Sequence, residues 1–183
     1  MKHYAKWMEV QKVHPQDDYA LRTNYTRMLS SCPDLADVCL NDFLKCCNSV
    51  FILVDKIYGN TLGIIAIRQA SIGELETEGL NYYCLDNQIL YKVEAFHCDS
   101  NVSDEDCSKL INTAIADKND GFIFYKPVCP TIKDRENFKD FVGFTEVNVV
   151  AKENRSTTYF IKSPAVYGEE APDRVVEEVT ELA

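Results

Sequence analysis

The stretch that determines the fold is residues 91–147, which read YKVEAFHCDSNVSDEDCSKLINTAIADKNDGFIFYKPVCPTIKDRENFKDFVGFTEV. Its first eight residues, Tyr91 to Cys98, alternate in part between apolar and polar side chains. The run ends at Asp99-Ser100-Asn101, a group of residues typical of turns. This pattern predicts a β-strand over residues 91–98.

A helix is predicted directly after this strand. The hydroxyl of Ser103 can accept a hydrogen bond from a free backbone N–H of the first turn, and Asp106 stands three positions on as its capping-box partner. Gly121 lies past the far end, where a left-handed residue often terminates a helix. Apolar residues recur between these points at helical spacing, at Cys107, Leu110, Ile111, Ala114 and Ile115.

A second strand follows this helix. Residues 122–125 form an apolar run that Pro127 stops. Because a helix of the preceding length makes a crossover, and crossovers connect parallel strands, the strands at 91–98 and 121–126 are expected to be parallel neighbours in one sheet.

A second helix is predicted next, and it ends at Gly143-Phe144 before a strand that begins at Thr145. Three apolar side chains define its buried face, at Phe138, Phe141 and Val142.

The remaining elements flank this stretch in a simple order. We expect a first strand, two helices and a β-hairpin before it and a final hairpin after it, over residues 4–14, 17–29, 33–47, 50–68 and 149–162. Residues 62–67 are apolar on both faces, which predicts a central position in the sheet. Residues 70–90 are either an elaborated hairpin or a functional insertion, with a short strand at 82–85.

These elements predict one α+β domain over residues 1–167, in which helices flank a mixed, mostly antiparallel sheet. The tail at 168–183 holds six acidic residues and one arginine, a net charge of −5 out of the chain's −10, and it is expected to form either a marginal helix or a disordered segment.

Charge and composition restrict the classes of partner. The net charge is −10 and the pI about 4.8, which argues against nucleic acid or an anionic membrane as a ligand, since both require Lys and Arg. The start of the chain is polar and no apolar run approaches 18 residues, so neither a signal peptide nor a membrane span is expected. Eight cysteines without a Cys-x-x-Cys pair predict a reduced, cytoplasmic protein.

The order of the predicted elements resembles that of the GNAT superfamily of N-acetyltransferases. The most specific local resemblance is residues 137–144, NFKDFVGF, which are similar to the family's aromatic-rich helix that ends in Gly-Phe before the last strand pair. The order of secondary-structure elements resembles that of the family over about residues 1–163. The amino-acid sequence itself resembles the family over this octamer. The resemblance implies a GNAT-like fold and an enzyme that transfers an acetyl group from acetyl-CoA to an amine.

The resemblance also implies catalytic roles for two residues. Glu94 would deprotonate the acceptor amine, directly or through water, and Tyr125 would act as the general acid. The alternatives are an outward-facing strand carboxylate for Glu94 and a packed aromatic ring with a solvated hydroxyl for Tyr125.

The cofactor would lie beside the same strand. Phe96, His97 and Cys98 would meet the pantetheine arm of acetyl-CoA, and Ser103 would begin the helix whose N-terminus faces the diphosphate. Adjacent strand residues point to opposite faces, so a Cys–His nucleophile pair is not expected at 97–98, and neither is a metal site.

Two features of the sequence depart from the family's pattern. The loop at 103–106 reads Ser-Asp-Glu-Asp, without Gly or Arg, so three carboxylates would face the diphosphate and repel it. Lys139 occupies the place of the usual tyrosine acid of the late helix. Two hypotheses follow: an N-acetyltransferase with an atypical cofactor loop, acting on a cationic amine or a lysine side chain, or a non-catalytic GNAT-fold module that binds a protein partner, such as a phage or mobile-element accessory or inhibitor protein.

Overall fold

A computed structural model of the chain describes residues 8–13, 34, 47, 49–128, 131–150 and 155–164. Except for Asp34 and Cys47, the helices predicted at 17–29 and 33–47 lie outside these residues, as does the tail at 168–183. The described strands are β1 (Met8–Val13), β2 (Ser49–Asp55), β3 (Thr61–Ala70), β4 (Ile89–Cys98), β5 (Gly121–Tyr125), β6 (Thr145–Val150) and β7 (Ser156–Lys162).

Three helices accompany these strands. They are α1 (Ile72–Thr77), α2 (Asp104–Ala116) and α3, which begins as Ile132–Asp134 and continues as a π-helix over Arg135–Phe141. A short 3-10 turn covers Asn81–Tyr83. Residues 71–88 are therefore an elaborated connection between β3 and β4. The prediction of a short strand at 82–85 is wrong.

The seven strands form one sheet in the order β1-β2-β3-β4-β5-β7-β6. Only β4 and β5 pair in parallel, and every other neighbouring pair is antiparallel. The predicted parallel neighbours are thus confirmed, as is the α+β class with a mixed, mostly antiparallel sheet. β3 lies between β2 and β4, as its two-sided apolar pattern predicts.

The sheet separates two apolar clusters. The larger cluster contains Ile123 and Tyr125 of β5 together with buried residues of α2 and α3. The smaller cluster contains Phe122 and Phe124 of β5 and Leu75 of α1. Alternation along β5 therefore sends successive side chains into different cores, which is why the whole strand is apolar.

A β-bulge in β4 opens the sheet at the position that matters most for the site. Ala66 pairs with Ala95 and Ile67 pairs with Val93, so Glu94 is an extra residue that pairs with no residue of β3. Pairing between β4 and β5 ends at the same level, at Val93 and Tyr125. Because a bulge bends its strand and increases the local twist, β4 diverges from β5 beyond this level.

The predicted helix boundaries need two corrections. Ser103 accepts from the Asp106 backbone N–H at 3.2 Å, as expected of an N-cap, but the Asp106 carboxylate accepts from the Ser103 hydroxyl at 3.0 Å instead of closing a capping box. Gly121 does not end α2, which stops at Asp117 with φ −70°. Gly121 opens β5, where an added Cβ would lie 2.5 Å from the Tyr91 ring, so glycine permits the close approach of β5 to β4.

The π-helical part of α3 changes which side chains it buries. Phe138 and Val142 are buried, as predicted, but Phe141 is 54% exposed and Asn137 is fully buried instead. A π-helix has a wider turn than an α-helix, which shifts the buried face relative to the expected 3.6-residue period. Gly143 ends the helix with φ +88°, a conformation that favours glycine.

Candidate functional site

Two cavities meet where β4 and β5 diverge. The first cavity, of about 370 Å³, lies between the end of β4, the segment after β5, and α3. The second cavity, of about 510 Å³, lies between the bulged part of β4, the segment after β5, and the start of β7. Asp34, Pro127 and Val128 line both cavities, so groups bound in the two cavities would meet beside these residues.

The Asp34 carboxylate lies at the point where the strands separate. One oxygen accepts from the Phe96 backbone N–H at 3.1 Å and from the Tyr125 hydroxyl at 2.7 Å. The other oxygen accepts from the Val128 backbone N–H at 3.3 Å. The divergence of β4 and β5 turns the Phe96 N–H away from strand pairing, and Asp34 accepts its hydrogen bond.

Tyr125 is held rigidly at the end of β5. Its ring is 2% exposed and packs 4.8 Å from the Phe138 ring and 6.4 Å from the Phe160 ring, between centroids. Its hydroxyl reaches the first cavity and donates to Asp34. A buried tyrosine with an oriented hydroxyl is suited to proton transfer, which is the chemistry that the sequence predicted for this residue.

Glu94 lines the second cavity, but it is not alone there. Its carboxylate accepts from Arg68 Nε at 2.7 Å, and Lys92 Nζ lies 3.9 Å away. Arg68 also binds Glu74, and those hydrogen bonds lower the pKa of Glu74 to about 2. Glu94 is therefore one member of an ion-pair network with Arg68, Glu74 and Lys92.

The second cavity also borders a partly buried polar cluster around Glu78. The Tyr159 hydroxyl and Lys126 Nζ both donate to the Glu78 carboxylate. Burial alone would raise the pKa of Glu78, but these two hydrogen bonds outweigh it and the net shift is downward. Lys126 therefore enters the cavity with its charge already partly balanced.

Phe96, His97 and Cys98 all line the first cavity, where the resemblance places the pantetheine arm. A hydrogen bond with Cys107, and then burial, raise the pKa of the Cys98 thiol. Cys98 is therefore a neutral thiol and a poor nucleophile. His97 Nε2 lies 3.5 Å from an Asp99 carboxylate oxygen.

The start of α2 does not reach the first cavity in the way that the resemblance implies. Ser103 is not among the lining residues, whereas Ser100 of the preceding loop is. The Ser103 hydroxyl is committed to Asp106. Lys133 of α3 donates to the Val102 carbonyl at 3.2 Å, and in the described part of the chain it is the only lysine or arginine that lines this cavity.

α3 contributes residues that the sequence did not single out. Lys133, Asp134 and Asn137 all line the first cavity. Burial raises the pKa of Asp134, hydrogen bonds from Thr131 oppose this rise, and the Asp34 carboxylate adds to it. Asn137 is fully buried, and neither atom of its amide has a hydrogen-bond partner among the described residues.

The signals for these residues in the sequence differ in strength. Asn137 stands next to Phe138 in the octamer that carries the resemblance, but the expected helical period put Phe141, and not Asn137, on the buried face. Asp34 offered none, because its partners Phe96 and Tyr125 are 62 and 91 positions away along the chain.

The described residues contain neither a metal-binding cluster nor a membrane-spanning helix. No group of three or more His, Cys, Asp or Glu side chains could hold a metal ion there. In the same part of the chain, no helix is both long enough and apolar enough to cross a membrane.

Comparisons with known proteins identify the fold. No family model matches the sequence, and no curated protein matches it either. Solved structures do match. A polyamine N-acetyltransferase from Drosophila melanogaster has a TM-score of 0.58 at 10% identity, over 85% of this chain and 99% of its own. A ribosomal-protein-S5-alanine acetyltransferase from Vibrio fischeri has a TM-score of 0.57 at 12% identity, over 89% and 96%.

A third match comes from a NatC complex bound to a Gag peptide and CoA, with a TM-score of 0.57 at 11% identity, over 85% of this chain and 98% of that one. The chain is thus similar in structure to N-acetyltransferases along most of its length. It has the GNAT-like fold that the element order and residues 137–144 predicted.

Proposed function

We propose that this GNAT-fold protein is an N-acyltransferase that transfers an acetyl group from acetyl-CoA to an amine. The observation that carries the proposal is the meeting of two cavities at the divergence of β4 and β5, with Asp34 and Tyr125 beside their junction. A transfer between two substrates requires two binding spaces that share one point, and this geometry provides it. The similar solved structures support the same reaction class.

The residues of the first cavity suit one part of acetyl-CoA better than another. When bound, acetyl-CoA would supply the acetyl group as a thioester. Asn137, Tyr125 and the apolar side chains at Phe96 and Val128 suit the uncharged pantetheine arm. The diphosphate would lie towards the start of α2, where Asp104 and Glu105 are exposed carboxylates and Lys133 is the nearest lysine that lines the cavity.

Asp34 and Tyr125 can together manage the protons of the reaction. In this mechanism a cationic acceptor first loses one proton to water, because only a neutral amine can attack the thioester. The Asp34 carboxylate then accepts a second proton from the same nitrogen as the new C–N bond forms. The Tyr125 hydroxyl donates its proton to the departing sulfur as the C–S bond breaks. The 2.7 Å hydrogen bond between the two groups then lets Asp34 return a proton to Tyr125, so that both residues end as they began.

Glu94 remains a second candidate for the base. It lines the second cavity, where the acceptor would lie, but its carboxylate is already engaged by Arg68 Nε at 2.7 Å and does not contact Tyr125. We therefore assign Glu94 to attraction of a cationic acceptor amine and Asp34 to proton abstraction.

The first test is whether acetyl-CoA binds. Acetyl-CoA at a 100-fold excess over its dissociation constant would stabilise the fold by about 2.7 kcal/mol, which a thermal-unfolding experiment detects readily. Absence of any shift at millimolar acetyl-CoA contradicts the proposal.

The second test separates the assigned roles. Acetylation of a polyamine and of a lysine-containing peptide is followed by mass spectrometry for the wild type and four variants. Tyr125→Phe and Asp34→Asn should each slow turnover by about 100-fold or more, which is the usual effect of losing a general acid or base. Glu94→Gln should mainly raise the KM for cationic acceptors. Tyr82→Phe, at a tyrosine that is 62% exposed, is the matched control and should change neither quantity.

One observation favours a second candidate function, that of a non-catalytic module that binds a protein partner. The first turn of α2 carries Asp104, Glu105 and Asp106, where a diphosphate would otherwise be held. Under this alternative the acidic turn is a recognition surface for a basic partner, and acetyl-CoA produces no stabilisation. The thermal-unfolding experiment thus decides between the two functions.

A further inference from the structure

Lys92 differs from the other charged side chains that line the second cavity. Asp34, Glu94 and Lys126 each form at least one side-chain hydrogen bond. Lys92 forms none with the described residues, and the Glu94 carboxylate oxygen lies 3.9 Å from its Nζ, which is too far for a hydrogen bond. The Lys92 side chain is only 23% exposed, so its ammonium donors lie in the wall of the cavity and are available to an anionic ligand.

A second ammonium group lines the same cavity from the neighbouring strand. Lys92 pairs with Phe124 of β5, and paired residues send their side chains to the same face of a sheet. Lys126 lies on this face just past the end of β5, with its Nζ 5.9 Å from the centroid of the Tyr159 ring. Its hydrogen bond to Glu78 uses one of three ammonium donors, so two remain. Lys92 and Lys126 therefore form a pair of cations in the second cavity.

The start of β7 adds hydroxyl groups to this cavity. Ser156, Thr157 and Thr158 all line it. The Thr158 hydroxyl donates to Asn148 Oδ1 at 2.8 Å, whereas those of Ser156 and Thr157 form no side-chain hydrogen bond with the part of the chain that the structure describes. Ammonium and hydroxyl groups are the donors that bind carboxylate oxygens. The donors of this cavity are therefore suited to a carboxylate.

The balance of charge in the second cavity indicates what else the ligand carries. Among the described lining residues, the two carboxylates of Asp34 and Glu94 balance the two ammonium groups of Lys92 and Lys126. A polyamine would bring several cations beside the two lysines, and like charges repel at short range. A molecule with one amine and one carboxylate complements both pairs. The cavity volume of about 510 Å³ is typical of sites for small molecules.

We propose that the acceptor is an amine that also bears a carboxylate, and that Lys92 determines this specificity by binding the carboxylate in the second cavity. The amine lies at Asp34, which takes its proton, and Lys126 is the second cation for the carboxylate. This inference rests on the proposed acyltransferase function and names the class of acceptor for the same site. A free amino acid and a peptide that begins with an acidic residue both present this pair of groups.

The experiment compares matched acceptors with and without the carboxylate. L-Phenylalanine is paired with phenethylamine, and a tripeptide amide that begins with glutamate is paired with the same peptide beginning with glutamine. The release of free coenzyme A thiol gives kcat/KM for each acceptor, and mass spectrometry identifies the acetylated amine. In the wild type, kcat/KM should be about tenfold or more higher for the carboxylate member of at least one pair. The pair that shows this preference distinguishes a free amino acid from a peptide.

The variants test whether Lys92 causes the preference. Lys92→Gln removes the ammonium group and should reduce the preference for the carboxylate acceptor about tenfold or more, mainly through KM. Lys92→Arg retains the positive charge and should keep most of the preference. The control is Lys109→Gln, which makes the same replacement at an exposed position of α2 and should leave the preference at its wild-type value.

A measurement on the wild type alone keeps the test decisive if Lys92→Gln folds poorly. The deaminated form of the preferred acceptor, which is 3-phenylpropionate for phenylalanine, keeps the carboxylate and should inhibit competitively with the acceptor. The deaminated form of its carboxylate-free partner should not inhibit.

The outcomes separate the inference from the proposed function. Equal kcat/KM within both pairs, an unchanged preference in folded Lys92→Gln, or equal effects of the two deaminated compounds overturns the inference and leaves the proposed function intact. Stabilisation of the wild type by acetyl-CoA without acetylation of any of the four acceptors has the same meaning. Absence of stabilisation by acetyl-CoA overturns the proposed function, and the inference with it.

Discussion

Helices α2 and α3 pack on the same face of the sheet, yet they are built in different ways. α2 is a regular helix of 13 residues with a Ser103 cap, acidic residues in its first turn, and an apolar stripe in the core. α3 is mostly π-helical, leaves Phe141 exposed, and buries Asn137, whose amide has no hydrogen-bond partner within the described ranges. α2 therefore combines a cap, favourable charges and an apolar buried face, all of which stabilise a helix. α3 departs from regular helical geometry and buries a polar side chain at the residues that line the first cavity. Departures of this kind are expected at functional sites.

The largest effect expected from this comparison is in α2. Leu110 is fully buried in the cluster that both helices share. Leu110→Ala should lower the free energy of unfolding by about 3 kcal/mol, because it removes apolar contacts and leaves a cavity. Urea denaturation measures the loss, and Lys109→Ala, at the exposed neighbouring position, is the control. A loss below about 1 kcal/mol would mean that α2 contributes less to the core than its burial indicates.

In α3, a substitution is expected to increase the free energy of unfolding instead of lowering it. Asn137→Leu should raise the free energy of unfolding of the ligand-free protein by about 1–2 kcal/mol, since it replaces an unsatisfied buried amide by an apolar group of similar size. Asn112→Leu, at an exposed position of α2, should leave stability nearly unchanged. A clear loss of stability in Asn137→Leu would show that the amide is satisfied within the folded protein, and the contrast between the helices would then disappear.

A smaller effect is expected at the start of α2. Asp104→Asn combined with Glu105→Gln should cost about 0.5–1.5 kcal/mol, because carboxylates in a first turn interact favourably with the helix dipole. The loss should shrink in high salt, which screens exposed charges. The control is Asp140→Asn, which removes an exposed carboxylate near the C-terminal end of α3 and should not destabilise the protein. Equal losses in both variants would contradict the dipole explanation.

The smallest effect concerns the carboxyl group of Asp134. Its pKa is raised above its ordinary value of 3.8, chiefly by burial, so the folded protein favours the neutral form. The charge therefore penalises folding above the folded-state pKa, and this penalty is absent below 3.8. Asp134→Asn removes the charge but keeps an acceptor for Thr131.

Relative to the wild type, Asp134→Asn should gain stability as the pH rises from about 3 to about 7. Urea denaturation at several pH values in this range provides the measurement. A stability difference that is independent of pH, or that falls as the pH rises, would show that Asp134 does not titrate at a raised pKa.

The fold was predictable from the sequence because most of its determinants are local. The cap at Ser103, the apolar stripe of α2 and the β5 run ending before Pro127 are all set by neighbouring residues. The bulge at Glu94 also left a trace, since the apolar positions run 91, 93, 95, 96 and 98, so the alternation changes phase between Ala95 and Phe96. We expected only partial alternation there and did not infer the extra residue.

The site was less predictable because it depends on contacts between distant residues. Tyr125, Phe96, His97 and Cys98 do line the first cavity, and the roles that the resemblance implied for them stay predictions. Asp34 could not be found in this way, since nothing near it in the chain indicates its hydrogen bonds to β4 and β5. Asn137 was within the octamer that carried the resemblance, but a regular helical period would have placed Phe141, and not Asn137, in the core.

The position of β7 has a consequence for how the protein folds during synthesis. β7 is the last described strand in the sequence, yet it lies between β5 and β6 in the sheet. A nascent chain that ends before Ser156 therefore exposes the free edge of β5, a wholly buried apolar strand in the finished fold. Such edges pair with other chains, so released fragments that end near residue 150 should aggregate or bind chaperones, whereas released fragments that extend past Lys162 should not.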